Sequence, residues 1–297
     1  MNYKVFIFSF VSLLFLLEEG FCQLNDLARV DYTIVPAGNS NIEYNRVRAL
    51  FNYPIKLEKN GTYLFLGLDY SNINLLVANS PLFDRDEIDG FQLLDFNIGY
   101  TTPLKNDWRL GVRFSPGLSS NLKANDLNLE DVVLSGDIVF IKDKKDEFGI
   151  KNPWRLILGM SYSGNRGINF PLPFVSYYRK FHRNWSFNIG IPKSNLQYHI
   201  SERHRLKLYT ELDGFTSNLQ NGLTIIGTAE EASSINSSII LGGLQYEYHI
   251  IENLEFYLRS SYIFSNSIWL RDKDNNNILS LDDSNALYFR TGIRYKL

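Results

Sequence analysis

The chain closes on A-L-Y-F-R-T-G-I-R-Y-K-L, Ala286–Leu297, and the reading of this stretch decides the fold. It alternates with period two. Leu287, Phe289, Thr291, Ile293, Tyr295 and Leu297 share one face; Tyr288, Arg290, Gly292, Arg294 and Lys296 share the other. A strand points successive side chains to opposite sides of its sheet, so one side here is apolar and aromatic and the other cationic. Two settings accept such a strand: a wall between lipid and a polar lumen, or the edge of a soluble sandwich. The rest of the chain decides between them.

The 297 residues suffice for one medium barrel, and a formal net charge of −2 with pI 6.1 gives no reason to expect a nucleic-acid partner. Mean hydropathy is −0.17, far below that of a helical membrane protein. Beyond residue 20 no apolar run approaches the roughly 18 residues a spanning helix needs. Residues 1–22 read as a secretory signal: Lys4, then the apolar run Val5–Leu17, then Gly20 and Cys22 ahead of a cut before Gln23. Residues 23–297 are then the mature domain. Cys22 is the single cysteine, and Phe21 before it argues against lipidation.

Past Asp26 the chain offers alternating segments of about 9–11 residues, the length of a tilted membrane strand. Val47, Ala49, Phe51, Tyr53 and Ile55 share a face opposite Arg46 and Arg48. Leu94, Phe96 and Ile98 oppose Asp95 and Asn97. Leu110, Val112 and Phe114 oppose Arg109 and Arg113. Leu134, Ile138 and Phe140 oppose Ser135 and Asp137. Leu206 and Leu208 oppose Lys207 and Glu211, and Leu258 and Tyr262 oppose Arg259. In strand after strand the charges avoid the aliphatic face.

The connections carry the decision. Short polar turns near Glu58–Gly61, Leu104–Asn106, His182–Asn184, Glu202–His204 and Ile250–Glu252, with a medium turn Lys142–Asn152, alternate with long polar loops. The long ones are Ser71–Gly90, Gly117–Asn128, Gly214–Asn236 and Ser265–Asn285. Short periplasmic turns and long outer loops mark transmembrane barrels. This parity threads an all-β, single antiparallel transmembrane β-barrel of 14 strands with both termini periplasmic. Twelve strands is the alternative, reached when Trp185–Ser201 is one bent strand through Pro192–Asn195. Three of the four tryptophans, Trp108, Trp154 and Trp185, follow alternate turns and so form a girdle at one height.

The chain resembles a family of uncharacterised flavobacterial-type outer-membrane barrels, domain of unknown function 6268. The resemblance is carried by L-A-R-V-D-Y-T-I-V-P from Leu27, F-N-Y-P-I-K-L from Phe51, I-P-K-S-N-L-Q-Y from Ile191, D-K-D-N-N-N from Asp272 and Y-F-R-T-G-I-R-Y from Tyr288. It implies a barrel in the outer membrane and brings no activity with it. Its expected partners are outer-membrane lipid and lipopolysaccharide, and the barrel assembly machinery acting through Ala286–Leu297. Closing strands of such barrels usually end in Phe; this one ends in Leu297.

The inward face is expected to hold Arg46, Arg48, Arg109, Arg113, Arg155, Lys207, Arg259, Arg290 and Arg294, with Asp95, Asp131, Asp137, Glu211, Glu247 and Glu255. A charge facing lipid at midplane costs about 2–4 kcal/mol, so these belong inside. There they either set solute preference in a pore or pair off and fill it. The loop D-K-D-N-N-N-I-L-S-L-D-D, Asp272–Asp283, places oxygen ligands at calcium-loop positions 1, 3, 5, 9 and 12: Asp272, Asp274, Asn276, Ser280 and Asp283. Asn277 replaces the usual glycine, Asp283 the usual Glu, and an ordinary polar loop has the same composition.

No catalytic constellation is legible. His182, His199, His204 and His249 lie in or beside the short turns, and His182 with Ser186 is the nearest approach to a nucleophile and base. The expected function is a passive channel for small solutes, not an enzyme. The alternative is a structural or surface-recognition barrel with a closed lumen. For a closed lumen, Gly214–Asn236 is the plug, with its apolar patch Leu223–Ile226 and a helix-prone Ala229–Ala232.

Overall fold

A computed structural model describes residues 26–38, 42–58, 60–78, 82–124, 126–144, 152–168, 170–227 and 230–296; the expected signal at 1–22 and Leu297 lie outside them. The strands run in chain order. The first seven are β1 (Ala28–Val35), β2 (Ile42–Glu58), β3 (Thr62–Val77), β4 (Gly90–Pro103), β5 (Trp108–Ser120), β6 (Val132–Lys144) and β7 (Trp154–Ser163). Then follow β8 (Leu172–His182), β9 (Trp185–Ile191), β10 (Lys193–His199), β11 (His204–Thr224), β12 (Glu231–His249), β13 (Leu254–Arg271), β14 (Asn277–Asp282) and β15 (Leu287–Tyr295). Each pairs antiparallel with its neighbour, and β15 pairs with both β13 and β1, from Ala28 against Tyr295 to Ile34 against Phe289. The wall is therefore a closed barrel of 14 strands. The short β14 is an arm on the far end of β13, outside the wall.

Alternation explains which side each residue takes. Val30, Val47, Leu68, Phe96, Phe114, Ile138, Leu208, Leu258 and Ile293 point outward and are exposed, while the polar residues between them are buried or half-buried. An apolar exterior around a polar interior inverts a soluble protein and is what a lipid solvent demands. Trp108, Trp154 and Trp185 each open a strand at the short-turn end, as the girdle requires. Pro192 alone separates β9 from β10, so the tight link is a true hairpin and the count is 14 rather than 12.

The long loops differ from expectation. Strands continue through much of Ser71–Gly90, Gly214–Asn236 and Ser265–Asn285: β3 runs to Val77, β11 to Thr224, β12 starts at Glu231 and β13 runs to Arg271. Glu231 and Ala232 are strand, not helix; Ala229 lies outside the described residues. These tall hairpins find partners across the mouth. The β11–β12 hairpin bends at Gly214, whose φ of +146° suits glycine and whose Cβ would sit 2.1 Å from the Ser237 carbonyl oxygen. Beyond the bend Asn218 lies alongside Ser120 of β5, a strand far around the barrel. Phe215, Leu219, Leu223 and Ile235 then join Ile73, Leu75 and Phe91 of the wall, and Phe83 and Ile88 of the β3–β4 loop, in one buried apolar core. The Phe215 ring lies 5.5 Å from that of Phe91 and 6.1 Å from that of Tyr44. The long-loop mouth is thus covered by folded protein.

An arginine at Leu208, which is 58 % exposed at mid-wall, is expected to lower folding stability in a bilayer by about 2–4 kcal/mol. Arginine at Ile226, exposed on the hairpin tip, should change it by less than about 0.5 kcal/mol. Denaturant unfolding from lipid vesicles checks both, and equal effects at the two sites would contradict the membrane wall.

Candidate functional site in the lumen

One side of the lumen is an ion-pair network. Glu211 accepts Lys193 Nζ at 2.6 Å and Arg259 Nη1 at 3.0 Å, with Arg290 Nη1 at 3.7 Å. Asp213 accepts Arg290 Nη2 at 2.5 Å and the Tyr288 hydroxyl at 2.9 Å, and lies 3.5 Å from Arg46 Nη1. Arg48 Nε donates to Asp69 at 2.8 Å. Nearer the short turns, Glu247 takes Lys207 and Arg294, both at 2.5 Å, while Glu255 takes Arg294 at 2.6 Å and Lys296 at 2.9 Å. Guanidinium groups lie over ring faces: Arg259 over Tyr209 at 5.1 Å and Arg294 over Tyr257 at 5.0 Å. Each of these carboxylates except Asp69 is shared by two or more cations. Such sharing offsets the desolvation of charges behind a lipid-clad wall.

The other side is open. An upper cavity of about 270 Å³ is bounded by the network's edge, Arg48, Lys193 and Asp213, and by Asp95, Arg113, Asp137 and Arg166. A lower cavity of about 230 Å³, toward the short turns, has a mostly apolar lining of Phe65, Val139, Ile141 and Ile157, with Arg155. Gly99 and Gly111 face it and leave its space unfilled. Arg113, Asp137 and Phe174 line both cavities and form the constriction between them. Arg113 and Asp137 are directly paired across β5 and β6; Arg113 Nε donates at 2.5 Å and the Ser161 hydroxyl also donates to Asp137.

The structure turns Arg46, Arg48, Asp95, Arg109, Arg113, Asp137, Arg155, Lys207, Glu211, Arg259, Arg290 and Arg294 away from the apolar exterior. They do not form one ring. Arg109 Nη1 is spent on the Gly61 carbonyl at 2.6 Å, fixing the β2–β3 turn. Asp95 is held by both oxygens from Asn165 Nδ2, at 2.9 and 3.0 Å, rather than by a cation. Asp131 belongs to the mouth rather than the wall: it accepts Asn218 Nδ2 at 2.7 Å and Gln220 Nε2 at 2.6 Å, clamping the crossing hairpin. Burial pushes its carboxyl up, but these donors and the Asn128 amide prevail and hold it below the usual carboxylate range.

Sequence reading missed Asp69, Asp213, Lys193 and Arg166. Asp69 alternates with outward Leu68 and Tyr70 and was findable by period. Asp213 sits one residue before the Gly214–Asn236 stretch read as loop, and Lys193 lies inside the tight connection Pro192–Asn195. Arg166 follows no period, because it lies on the β7–β8 connection.

The Asp272–Asp283 stretch folds as a turn and the arm β14. The Asp272 carboxylate accepts the amides of Asp274 and Asn276 and the Asn276 side chain, which lower its pKa, while Ser280 pairs opposite Trp269. Asp272, Asp274 and Asp283 do not converge; among the described residues the one gathering of possible metal ligands is Glu247, His249 and Glu255. Lys207, Arg294 and Lys296 already neutralise that trio. His182 takes the Asn184 amide at 3.2 Å, and the partner of Ser186 is instead His199, Oγ to Nε2 at 3.0 Å. Beside that imidazole stands the amide of Gln197, where a triad would place a carboxylate.

A family model described as "Domain of unknown function (DUF6268)" matches residues 41–296. The chain belongs to this family. No curated protein matches it. Solved structures similar to this family member share 9–10 % identity. The NanC porin covers 91 % of this chain and 100 % of its own at a TM-score of 0.40. The KdgM porin with disordered oligogalacturonate covers 91 % and 99 % at 0.38. The toluene transporter TodX of Pseudomonas putida covers 93 % and 90 % at 0.34. At these values the likeness is one of barrel architecture.

Glu211→Gln leaves Arg259, Arg290 and Lys193 short of one shared charge and should cost about 3 kcal/mol in denaturant unfolding. For Asp131 the lowered pKa means that the clamp is complete above the ordinary carboxylate pKa of about 3.9 and is lost as pH falls through the lower folded value. Hydrogen exchange across 216–224 should stay slow at pH 5 to 8 in the native protein and be fast throughout that range in Asp131→Asn.

Proposed function

We propose that the protein is a passive outer-membrane channel for small solutes, delivered there by an export signal in residues 1–22. Its conduit is the open half of the lumen. The observation that carries this reading is the pair of cavities meeting at Arg113, Asp137 and Phe174, beside a network that fills the remaining interior. A solute leaving the polar upper cavity for the apolar lower one must pass the ion pair and the ring. That constriction sets size and charge preference. The lipid-facing exterior, the tryptophan girdle and the family membership support the placement in an outer membrane.

Single-channel recording of the refolded barrel in a planar bilayer tests it. Discrete open steps are expected. In Arg113→Glu two carboxylates repel across β5 and β6, so the step should grow by about twofold and shift toward cations. One observation favours a second reading, a closed barrel: the apolar core and crossing hairpin over the mouth. Silence from an inserted native protein, with current after removal of 216–234, would select that reading.

A further inference from the structure

The barrel wall is not of even height. β9 has 7 residues and so has β10, and Pro192 alone joins them at the long-loop side. From Trp185 in the girdle to Ile191, six steps of about 3.3 Å tilted by about 40° rise only some 15 Å, against an apolar band of about 25 Å. The wall therefore stops inside the hydrocarbon layer. Ile189, 62 % exposed, and Ile191 face lipid up to that edge.

An edge in lipid needs its backbone groups satisfied locally. Here the Ser194 hydroxyl donates to the Gly190 carbonyl and accepts the Gly190 amide, both at 2.9 Å. Pro192 has no N–H, and its carbonyl accepts the Leu212 amide at 3.0 Å. On the facing side β8 has no β9 partner above Val175, and Pro173 removes a donor from that free edge. The gap is roofed. The Thr216 amide donates to the Asn165 carbonyl at 3.1 Å and Asn236 Nδ2 to the Gly167 carbonyl at 3.0 Å, fixing the β7–β8 connection to the crossing hairpin. Gly167, at φ +78°, would bring a Cβ within 2.0 Å of the Ser237 oxygen, so the two pieces are in close contact. The result is a framed side window with Pro192 as sill, β8 and β11 as jambs, and the 165–168 segment as lintel.

The upper cavity lies behind it, lined by Phe170, Leu172, Pro173, Pro192 and Leu212 at the window and by Arg166 and Lys193 within. Phe170 is 60 % exposed. Arg48, Arg113 and Lys193 each hold a carboxylate, but among the described residues none lies within ion-pair distance of Arg166. The Arg166 side chain is exposed on the cavity lining, with Asp69 and Asp95 near enough to feel its charge but outside ion-pair distance, so its guanidinium donors stay open to an anion from outside. At about 270 Å³ the cavity admits a head group and not a two-chain lipid.

We propose that this window is the lumen's entrance from the outer leaflet, and that Arg166 binds the head of a single-chain amphiphile bearing one anionic group, its tail lying across Phe170, Leu172 and Pro173. The route onward past Arg113 rests on the channel reading; the binding site does not.

Full-length mature barrel in phosphatidylcholine nanodiscs, titrated by calorimetry against empty nanodiscs, tests the site. Decanoate at pH 8 should bind saturably at one per barrel. Decanol, with the tail alone, and acetate, with the charge alone, should bind at least tenfold more weakly. Arg166→Gln should lose at least tenfold toward decanoate and Arg166→Lys should retain most of it, which separates lost charge from lost folding. Phe170→Cys carrying a bulky maleimide should slow decanoate association at least fivefold. Equal affinity for decanoate and decanol, or native affinity in Arg166→Gln, overturns the site; unchanged association in the blocked protein overturns the window. Bilayer current from native protein that binds no decanoate sinks this inference and leaves the channel standing. Decanoate binding by a barrel without current sinks the channel and leaves the site.

Discussion

Closure of the backbone ladder between β1 and β15 is the constraint on which everything else depends. In hydrocarbon an open strand edge leaves a row of amides and carbonyls with no water to bind, so the first strand must find the last. The seam is reinforced from inside. Arg290 on β15 donates to Thr33 on β1 at 2.9 Å and to Asp213 on β11, and Arg29 lies 3.1 Å from Asp31. Arg294 and Lys296 hold Glu255 on β13. The densest charge in the molecule thus lies beside the joint that forms last in chain order. The pairs that Arg290 makes with Asp213 and Arg294 with Glu255 join separate strands of the wall.

Concentrating the charges on one side has a consequence for the other. Fourteen strands enclose more room than the paired side chains fill, and the glycines on β4 and β5 facing the lower cavity leave it unfilled. The lower cavity therefore lies between β2 and β8, and the upper one reaches from that side across to Arg290 on β15. Their meeting point, Arg113 with Asp137, is the network's cross-strand chemistry repeated once, in isolation. The covered mouth and the low β9–β10 wall belong to the same arrangement. The hairpin that folds over the top is the extension of β11, the strand beside the gap, and its contact with the β7–β8 connection frames that gap from above.

Much of this was legible in the chain. Period two assigned the charged residues to the inside because a charge in lipid is costly, and turn parity gave 14 strands because short and long connections alternate ends. The mouth was less legible. Gly214–Asn236 reads as a loop because its polar residues obscure the alternation, yet its backbone continues as strand once Phe215, Leu219 and Leu223 have the wall's apolar residues to pack on. Asp131 shows the same limit: its inward position in a strand pattern was plausible, but its partners are Asn218 and Gln220, nearly ninety residues away in sequence, and no local rule pairs them.

By itself the sequence determined the barrel: which faces meet lipid, where the short turns fall and which charges must be inside, since each of these follows from a local period and the energetics of a charge in hydrocarbon, while the choice of 14 strands over 12 waited on the hairpin at Pro192. Only the tertiary structure decided how that interior is divided. The sharing of Glu211 and Asp213 among distant arginines, the isolation of Arg166, the hairpin across the mouth and the low wall at Pro192 all depend on which residues the closed sheet brings opposite one another. Distances across a lumen are set by the curvature of the whole wall, and no stretch of chain encodes them alone.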